Sequence, residues 1–371
     1  MSATTLLADI RSRVVVDVDS NDSAVAARHT DGTVKFCDMT SNQAIVHGEA
    51  TRPEQKALLL KAIDSGRTEN AQAIDDHLVD NIIDHFTVLL ATTVYPYLTG
   101  SVHAQTSPAF AYDTEKTVAH AKRLVSIYEA NGIPKSRVCI KIPSTPESIV
   151  ACQYLEKIGI RTLATCLFSV PQAVAASQAG CLYVAPYFNE LRVHFEPSLW
   201  REYKDTASEH PMAIVIYDIV ETYKRIGSKT LVMPASIVTA AEVSALASLH
   251  PDHLTLSGSV LDQLAALPAP SPSESAAQVT LTPEAQEPET QRPSVELSAP
   301  PASAETADGS TKDRVSSTSS FPDYLASSAA PLREALAVDA ESTRKLADAL
   351  KIFGEMESKL REIIKAELTK A

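Results

Sequence analysis

Apolar and polar positions along this chain follow two alternating periods. Short apolar runs, rich in β-branched residues, are separated by longer stretches whose apolar residues recur every three or four positions. The short runs read as strands: Val14 to Asp19, Val34 to Asn42, Ser101 to Gln105, Val138 to Pro143, Thr162 to Phe168, Cys181 to Tyr187, Thr230 to Met233 and Leu254 to Ser257. The longer stretches read as helices over roughly 53–65, 70–98, 114–131, 146–158, 171–179, 213–227 and 239–248, with Gly132 stopping the third. Eight strands alternating with helices over about 260 residues predict an α/β fold of the (β/α)8 TIM-barrel type. An open doubly wound sheet is the competing architecture. No G-x-G-x-x-G follows any of the strands, so a dinucleotide site has no support.

The pattern breaks after residue 267. Eight prolines lie between Pro268 and Pro301, mixed with Ser, Ala, Thr, Glu and Gln. Such a segment has too little apolar surface to offset its ordering entropy and reads as a disordered Pro/Ser/Ala-rich linker. Helical spacing then returns, with Leu346, Leu350, Phe353, Met356, Leu360, Ile363 and Ile364 on one stripe. That C-terminal helix has two readings, a dimer or coiled-coil helix and a helix returning over its own barrel. The expected division is a barrel over 1–267, a linker over 268–320 and a helical segment over 321–371.

Composition narrows the partners. The 371 residues are 44% hydrophobic, enough to bury a substantial core, and carry a formal net charge of −13. That charge argues against nucleic acid and anionic membranes, though not against small anionic substrates. No run has the length of a membrane span, and the first residues lack the basic and apolar regions of a signal peptide. The five cysteines are odd in number and show no metal-site spacing, which fits reduced thiols in a cytoplasmic protein.

The stretch with the clearest chemistry is Val138-Cys139-Ile140-Lys141-Ile142-Pro143-Ser144-Thr145. Burial disfavours a charged ammonium, and a neutral amine is a nucleophile that forms a Schiff base with a carbonyl. Ser144-Thr145-Pro146 then opens a helix. A lysine near a strand end that leads into a helix suits a barrel, where strand ends carry the chemistry. A lone lysine just past a strand is otherwise an ordinary surface residue. His103 should face the same way as Gln105; it reads as a hydrogen-bonded structural histidine, with a proton-shuttling role at the barrel mouth as the alternative.

Several motifs in order decide between these readings. Asp38-Met39-Thr40-Ser41-Asn42, Ala111-Tyr112-Asp113-Thr114-Glu115, Ala121-Lys122-Arg123-Leu124, Ile140-Lys141-Ile142-Pro143-Ser144-Thr145 and Leu167-Phe168-Ser169-Val170-Pro171-Gln172-Ala173 together resemble the transaldolase family. Its members are class I Schiff-base enzymes of the pentose phosphate pathway with a TIM-barrel fold. The resemblance implies Lys141 as the imine-forming amine and Asp19 as the acid/base at the breaking carbinol, with Asp17 as the other reading of the alignment. It implies Thr165 as the holder of a catalytic water, and Asn42, Ser236, Thr40 and Asp17 as substrate-binding groups. It implies sugar or sugar-phosphate substrates, and neither cofactor nor metal, since the iminium is the electron sink. A homodimer is compatible with it.

The departures from the family pattern matter as much. Gln105 stands where the resemblance implies a glutamate, and a glutamine positions water without exchanging a proton. Tyr187 replaces a phenylalanine and brings a hydroxyl. Leu163 replaces an asparagine, and Ala185 a serine. Glu190 and Val238 replace the two arginines that hold a sugar phosphate, which removes bidentate recognition of the dianion. The Gln105 and Tyr187 pair is similar to the fructose-6-phosphate aldolases, which release free dihydroxyacetone. Three functions are therefore expected to compete: transfer of a three-carbon ketol unit, simple aldol cleavage, and a barrel that only binds a metabolite.

Overall fold

The computed structural model describes residues 5–67, 75–270 and 321–370. The expected linker falls outside the described residues, apart from residues 268–270. Eight parallel strands form a (β/α)8 barrel: β1 Val15–Asp19, β2 Met39–Thr40, β3 Val102–Gln105, β4 Val138–Pro143, β5 Arg161–Leu167, β6 Tyr183–Pro186, β7 Leu231–Val232 and β8 His253–Leu256. The ladder runs β7-β6-β5-β4-β3-β2-β1-β8. Its two ends meet through Asp252 N–H on Val232 O (3.1 Å) and Thr255 N–H on Pro234 O (3.3 Å). Strands β3, β4, β6 and β8 are buried along their whole length, as expected for a parallel sheet covered by helices.

The short strands have local causes. An extended stretch from Val34 to Asn42 was expected, yet only Met39–Thr40 joins the ladder. Phe36 N–H goes instead to Tyr97 O, and Asp38 N–H goes to the Asp17 carboxylate. Pro234 has no N–H, which limits β7. Helices Leu6–Arg13, Ser23–Arg28 and Gly258–Ala266 complete the wall and were not apparent in the pattern. The first and last of these are tied at their outer ends by Leu6 N–H on Leu267 O (2.8 Å).

The helix after β4 begins as its residues dictate. Thr145 caps it by accepting Ser148 N–H (3.1 Å), and Pro146 occupies the first turn. The Thr145 hydroxyl also donates to Ala111 O, tying the end of β4 to the β3 side of the barrel.

The C-terminal helix, Ala340–Leu368, returns over the barrel's own helices. Leu360, Ile364 and Leu368 enter an apolar cluster with Val46, Leu59, Ile82 and Phe86. Ion pairs of Arg361 with Asp80 and of Lys365 with Asp76 flank that seam. The helix start reaches the C-terminal face of the barrel, where Ser342 Oγ donates to Phe168 O (3.2 Å) and Arg344 pairs with Glu190 (2.8 Å). Among the described residues, no helix is long and apolar enough to cross a membrane.

Candidate active site

At the C-terminal ends of the strands lies a cavity of about 300 Å³. Asp19, Asn42, Lys141, Tyr187 and Ser236 all line it, although they come from five separate segments of the chain. Strand register explains the convergence. Gln105 sits opposite Lys141, Lys141 opposite Leu163, and Asp19 opposite Thr40, so side chains pointing inward from neighbouring strands share a level.

Lys141 is 1% exposed and has no carboxylate partner among the described residues. The nearest ring is that of Tyr187, whose centroid is 5.9 Å from Nζ. An amine so placed is buried, reachable only through the cavity, and not held by an ion pair. Asp19, half-buried at the end of β1, accepts Thr40 Oγ1–H at 2.6 Å. Thr40 thereby spends its proton, so the 2.6 Å contact with Thr255 Oγ1 has Thr255 as donor. This chain orients Asp19 and leaves its second oxygen for the cavity. Thr40 itself is fully buried behind Asp19 and is not among the residues that line the cavity.

Asn42 has two tasks. Its Oδ1 caps the helix Gln43–Ala50 by accepting Ala44 and Ile45 N–H groups at 2.9 and 3.1 Å. The amide nitrogen is the group it offers to the cavity. Tyr187 is 2% exposed, and its hydroxyl accepts from Thr165 Oγ1 at 3.2 Å. Burial, with the neighbouring Cys166 and Asp19, pushes the phenol well above its usual range, so it remains a proton donor. Thr165 is buried beneath it, at an irregular part of β5 where the register with β6 shifts between Ala164 and Leu167. Cys166 there takes a left-handed φ of 53°, the kind of local irregularity that re-aims side chains beside a site. Gln105 donates to Gln43 Oε1 at 2.7 Å and leaves its own buried Oε1 without a protein partner.

Asp17 does not line the cavity. It is fully buried one level below, accepting Asp38 N–H (2.8 Å) and paired with His253 Nδ1 (2.8 Å). Burial raises its pKa, and His253 opposes that rise. Of the two aspartates considered for the same role, Asp19 is therefore the one in position. His103 belongs to this lower level too, bonded through Nε2 to Asp38 (2.8 Å), so it is not at the mouth. Donor atoms of Asp17, Cys37 and His253 lie within 4.8 Å of one another. As a metal set they fit poorly: the carboxylate and imidazole already satisfy each other, and burial pushes the Cys37 thiol up to about 12.

Seven further residues of the wall escaped the pattern: Ala44, Ile45, Leu191, His194, Phe195, Ala235 and Ser257. Ser257 had a signal, since it directly follows β8, and strand ends carry barrel chemistry. Leu191, His194 and Phe195 lie in or just after a short helical turn that follows β6, which no periodicity announces. At the positions noted for phosphate, Glu190 turns to Arg344, and Val238 offers only its N–H, which Glu242 accepts at 2.8 Å.

The chain as a whole is similar to known proteins. A family profile described as Transaldolase/Fructose-6-phosphate aldolase matches residues 18–304. A transaldolase of Schizosaccharomyces pombe is 32% identical over 227 residues, covering 61% of this chain and 69% of the relative. One of Kluyveromyces lactis is 31% identical over 332 residues, covering 89% and 87%. One of Shewanella amazonensis is 28% identical over 331 residues, covering 89% and 90%.

Proposed function

Because the chain belongs to the transaldolase/fructose-6-phosphate aldolase family, and is an enzyme of that class, we propose that it moves a three-carbon ketol unit through an imine on Lys141. The observation that carries this reading is the unpaired, buried Lys141 amine facing Asp19, Asn42 and Tyr187 in one cavity. The Lys141 amine attacks the ketose carbonyl, and water leaves to give the iminium. Asp19 removes the proton of the hydroxyl on the carbon beyond the bond to be cut. That carbon becomes the aldehyde, and the bonding pair passes into the enamine on Lys141. Asn42 and Ser236 hold hydroxyls of the bound unit.

Two fates are open to the enamine. Attack on an acceptor aldehyde, with Asp19 returning its proton, completes transfer. Protonation at carbon by the Tyr187 hydroxyl, followed by hydrolysis with a water held by Thr165 and Gln105, releases free dihydroxyacetone. The second fate is favoured by a phenol held protonated, 3.2 Å from Thr165, and by the vacant acceptor of Gln105, which stands opposite Lys141 in the strand register. In either case phosphate recognition differs from that of a site with two arginines, since Glu190 and Val238 stand in those places.

Borohydride trapping with dihydroxyacetone and with fructose 6-phosphate tests the proposal, read by intact and peptide mass spectrometry. The expected result is a ketose-sized adduct on Lys141. No adduct across a panel of ketoses would overturn the imine and favour a barrel that only binds a metabolite. Saturation by fructose 6-phosphate at low micromolar concentration would overturn the altered phosphate recognition.

A further inference from the structure

The cavity changes character with depth. Lys141 and Tyr187 at its base are almost completely buried, at 1% and 2% exposure, whereas Phe195 on the rim is 44% exposed. Ile45, Leu191 and Phe195 bring apolar surface to the wall beside His194, with Asn42, Ser236 and Ser257 as the uncharged polar residues around them. His194 Nε2 lies 2.8 Å from Ser236 Oγ. Ser236 itself holds a left-handed φ of 60°, a conformation that persists in a non-glycine residue only when the surroundings impose it. Asn189 imposes it: its backbone N–H and its side-chain amide both donate to Ser236 O, at 3.1 and 3.0 Å. The Asn189 amide is fixed in turn by Glu242 at 3.1 Å. A strained residue, held through its carbonyl by two Asn189 donors, thus fixes the His194 imidazole at the cavity wall.

A phosphate dianion would find little at this rim. None of the cavity-lining residues is an arginine. Arg344 is engaged by Glu190, Glu341 and Asp348, each at 2.8 Å, and Arg192 turns to Glu196 at 3.4 Å. Crowding around the His194 ring lowers its pKa, although the residue as a whole is exposed, so the imidazole stays neutral near pH 7. The other side-chain nitrogens of the wall belong to Asn42, an uncharged amide, and to Lys141, which an imine would consume.

We propose that the outer half of the cavity selects an uncharged aldehyde with an apolar substituent over a phosphorylated one. His194, anchored by Ser236, is the specificity-determining residue and hydrogen-bonds the aldehyde's oxygen. This rests on the Lys141 imine reading for the aldehyde's role, and its test is built to separate the two. With dihydroxyacetone as donor, kcat/KM is compared for phenylacetaldehyde and glyceraldehyde 3-phosphate. The expected ratio favours phenylacetaldehyde by about tenfold or more. His194→Arg should move that ratio toward the phosphorylated aldehyde by about tenfold. A preference of the unaltered enzyme for glyceraldehyde 3-phosphate, or an unmoved ratio in His194→Arg, would overturn the proposal. Calorimetry on the Lys141→Met protein with 2-phenylethanol and glycerol 3-phosphate asks the same question without catalysis. Tighter binding of the phosphate there overturns the inference whether or not any imine forms; tighter binding of the alcohol supports it even where trapping fails.

Discussion

Two adjacent levels of the barrel interior handle charge in opposite ways. In the lower one, Asp17 is matched by His253 and Asp38 by His103, with the ring of Tyr183 between the two imidazoles at 5.1 and 5.6 Å. Two residues further along the same strands stand Asp19 and Gln105, on the level of Lys141, and there the amine has no carboxylate partner. The strands are shared, so the backbone does not cause the difference. Paired groups satisfy each other's hydrogen bonds and stabilise only their own arrangement. The Lys141 amine, with no ion-pair partner, is left open to the cavity. The lower level is thus closed by its own pairs, whereas the upper one presents an amine and the Asp19 carboxylate to the cavity.

Removing the unpaired amine tests this contrast most severely. Lys141→Met should abolish the borohydride adduct and lower turnover by at least about 10⁴-fold, with urea unfolding close to that of the unaltered chain. Substantial residual turnover would mean that the reactive group lies elsewhere.

Tyr187→Phe removes only the proposed proton donor. Aldol turnover should fall by about 10²- to 10³-fold, while trapping at Lys141 persists. Unchanged turnover would take Tyr187 out of the mechanism; loss of trapping as well would give it a role in forming the imine.

The lower level should answer in stability rather than in rate. Asp38→Ala leaves His103 buried without its partner and should cost about 3–5 kcal/mol in urea unfolding. Turnover per folded molecule should change little. A variant as stable as the original would show that the buried pairs are dispensable.

A smaller effect follows from pH. Burial alone would raise the Asp38 carboxyl, but the hydrogen bond and charge of His103, with Ser101 N–H, outweigh it and hold the group at about 2. An unfolded aspartate titrates near pH 3.9, so this depressed group contributes stability above that value and loses it as pH falls toward about 2. His253 works in the other sense. Burial lowers its pKa, the Asp17 carboxylate more than restores it, and the net rise gives stability below about pH 6.5 that is lost at higher pH. Urea midpoints measured across pH 2 to 8 should show both slopes, with the acid slope flattened in Asp38→Asn. An identical acid slope in that variant would assign it to other carboxylates.

Much of this was legible in the residues taken in order. The apolar run ending in Lys141, the Thr145 cap, the alternation of strand and helix and the C-terminal apolar stripe depend on local propensity and period, which a linear pattern records. Asp19 and Asp17 show where that record stops. Both are acids on the same face of one strand, two residues apart, and periodicity treats them alike. What separates them is depth in the barrel: His253 arrives from β8 to pair with Asp17, while Thr40 turns Asp19 toward the cavity. The readings of Glu190 and of the last helix were decided in the same way, when residues 154 positions apart met as Glu190 and Arg344. His194 was invisible for a related reason, since its use depends on a strained Ser236 delivered by another strand end. The sequence by itself determined the barrel, the lysine within its fourth strand and its family, because these rest on short-range patterns. Tertiary structure alone decided which charges are paired, because pairing depends on partners that are near in space and distant along the chain.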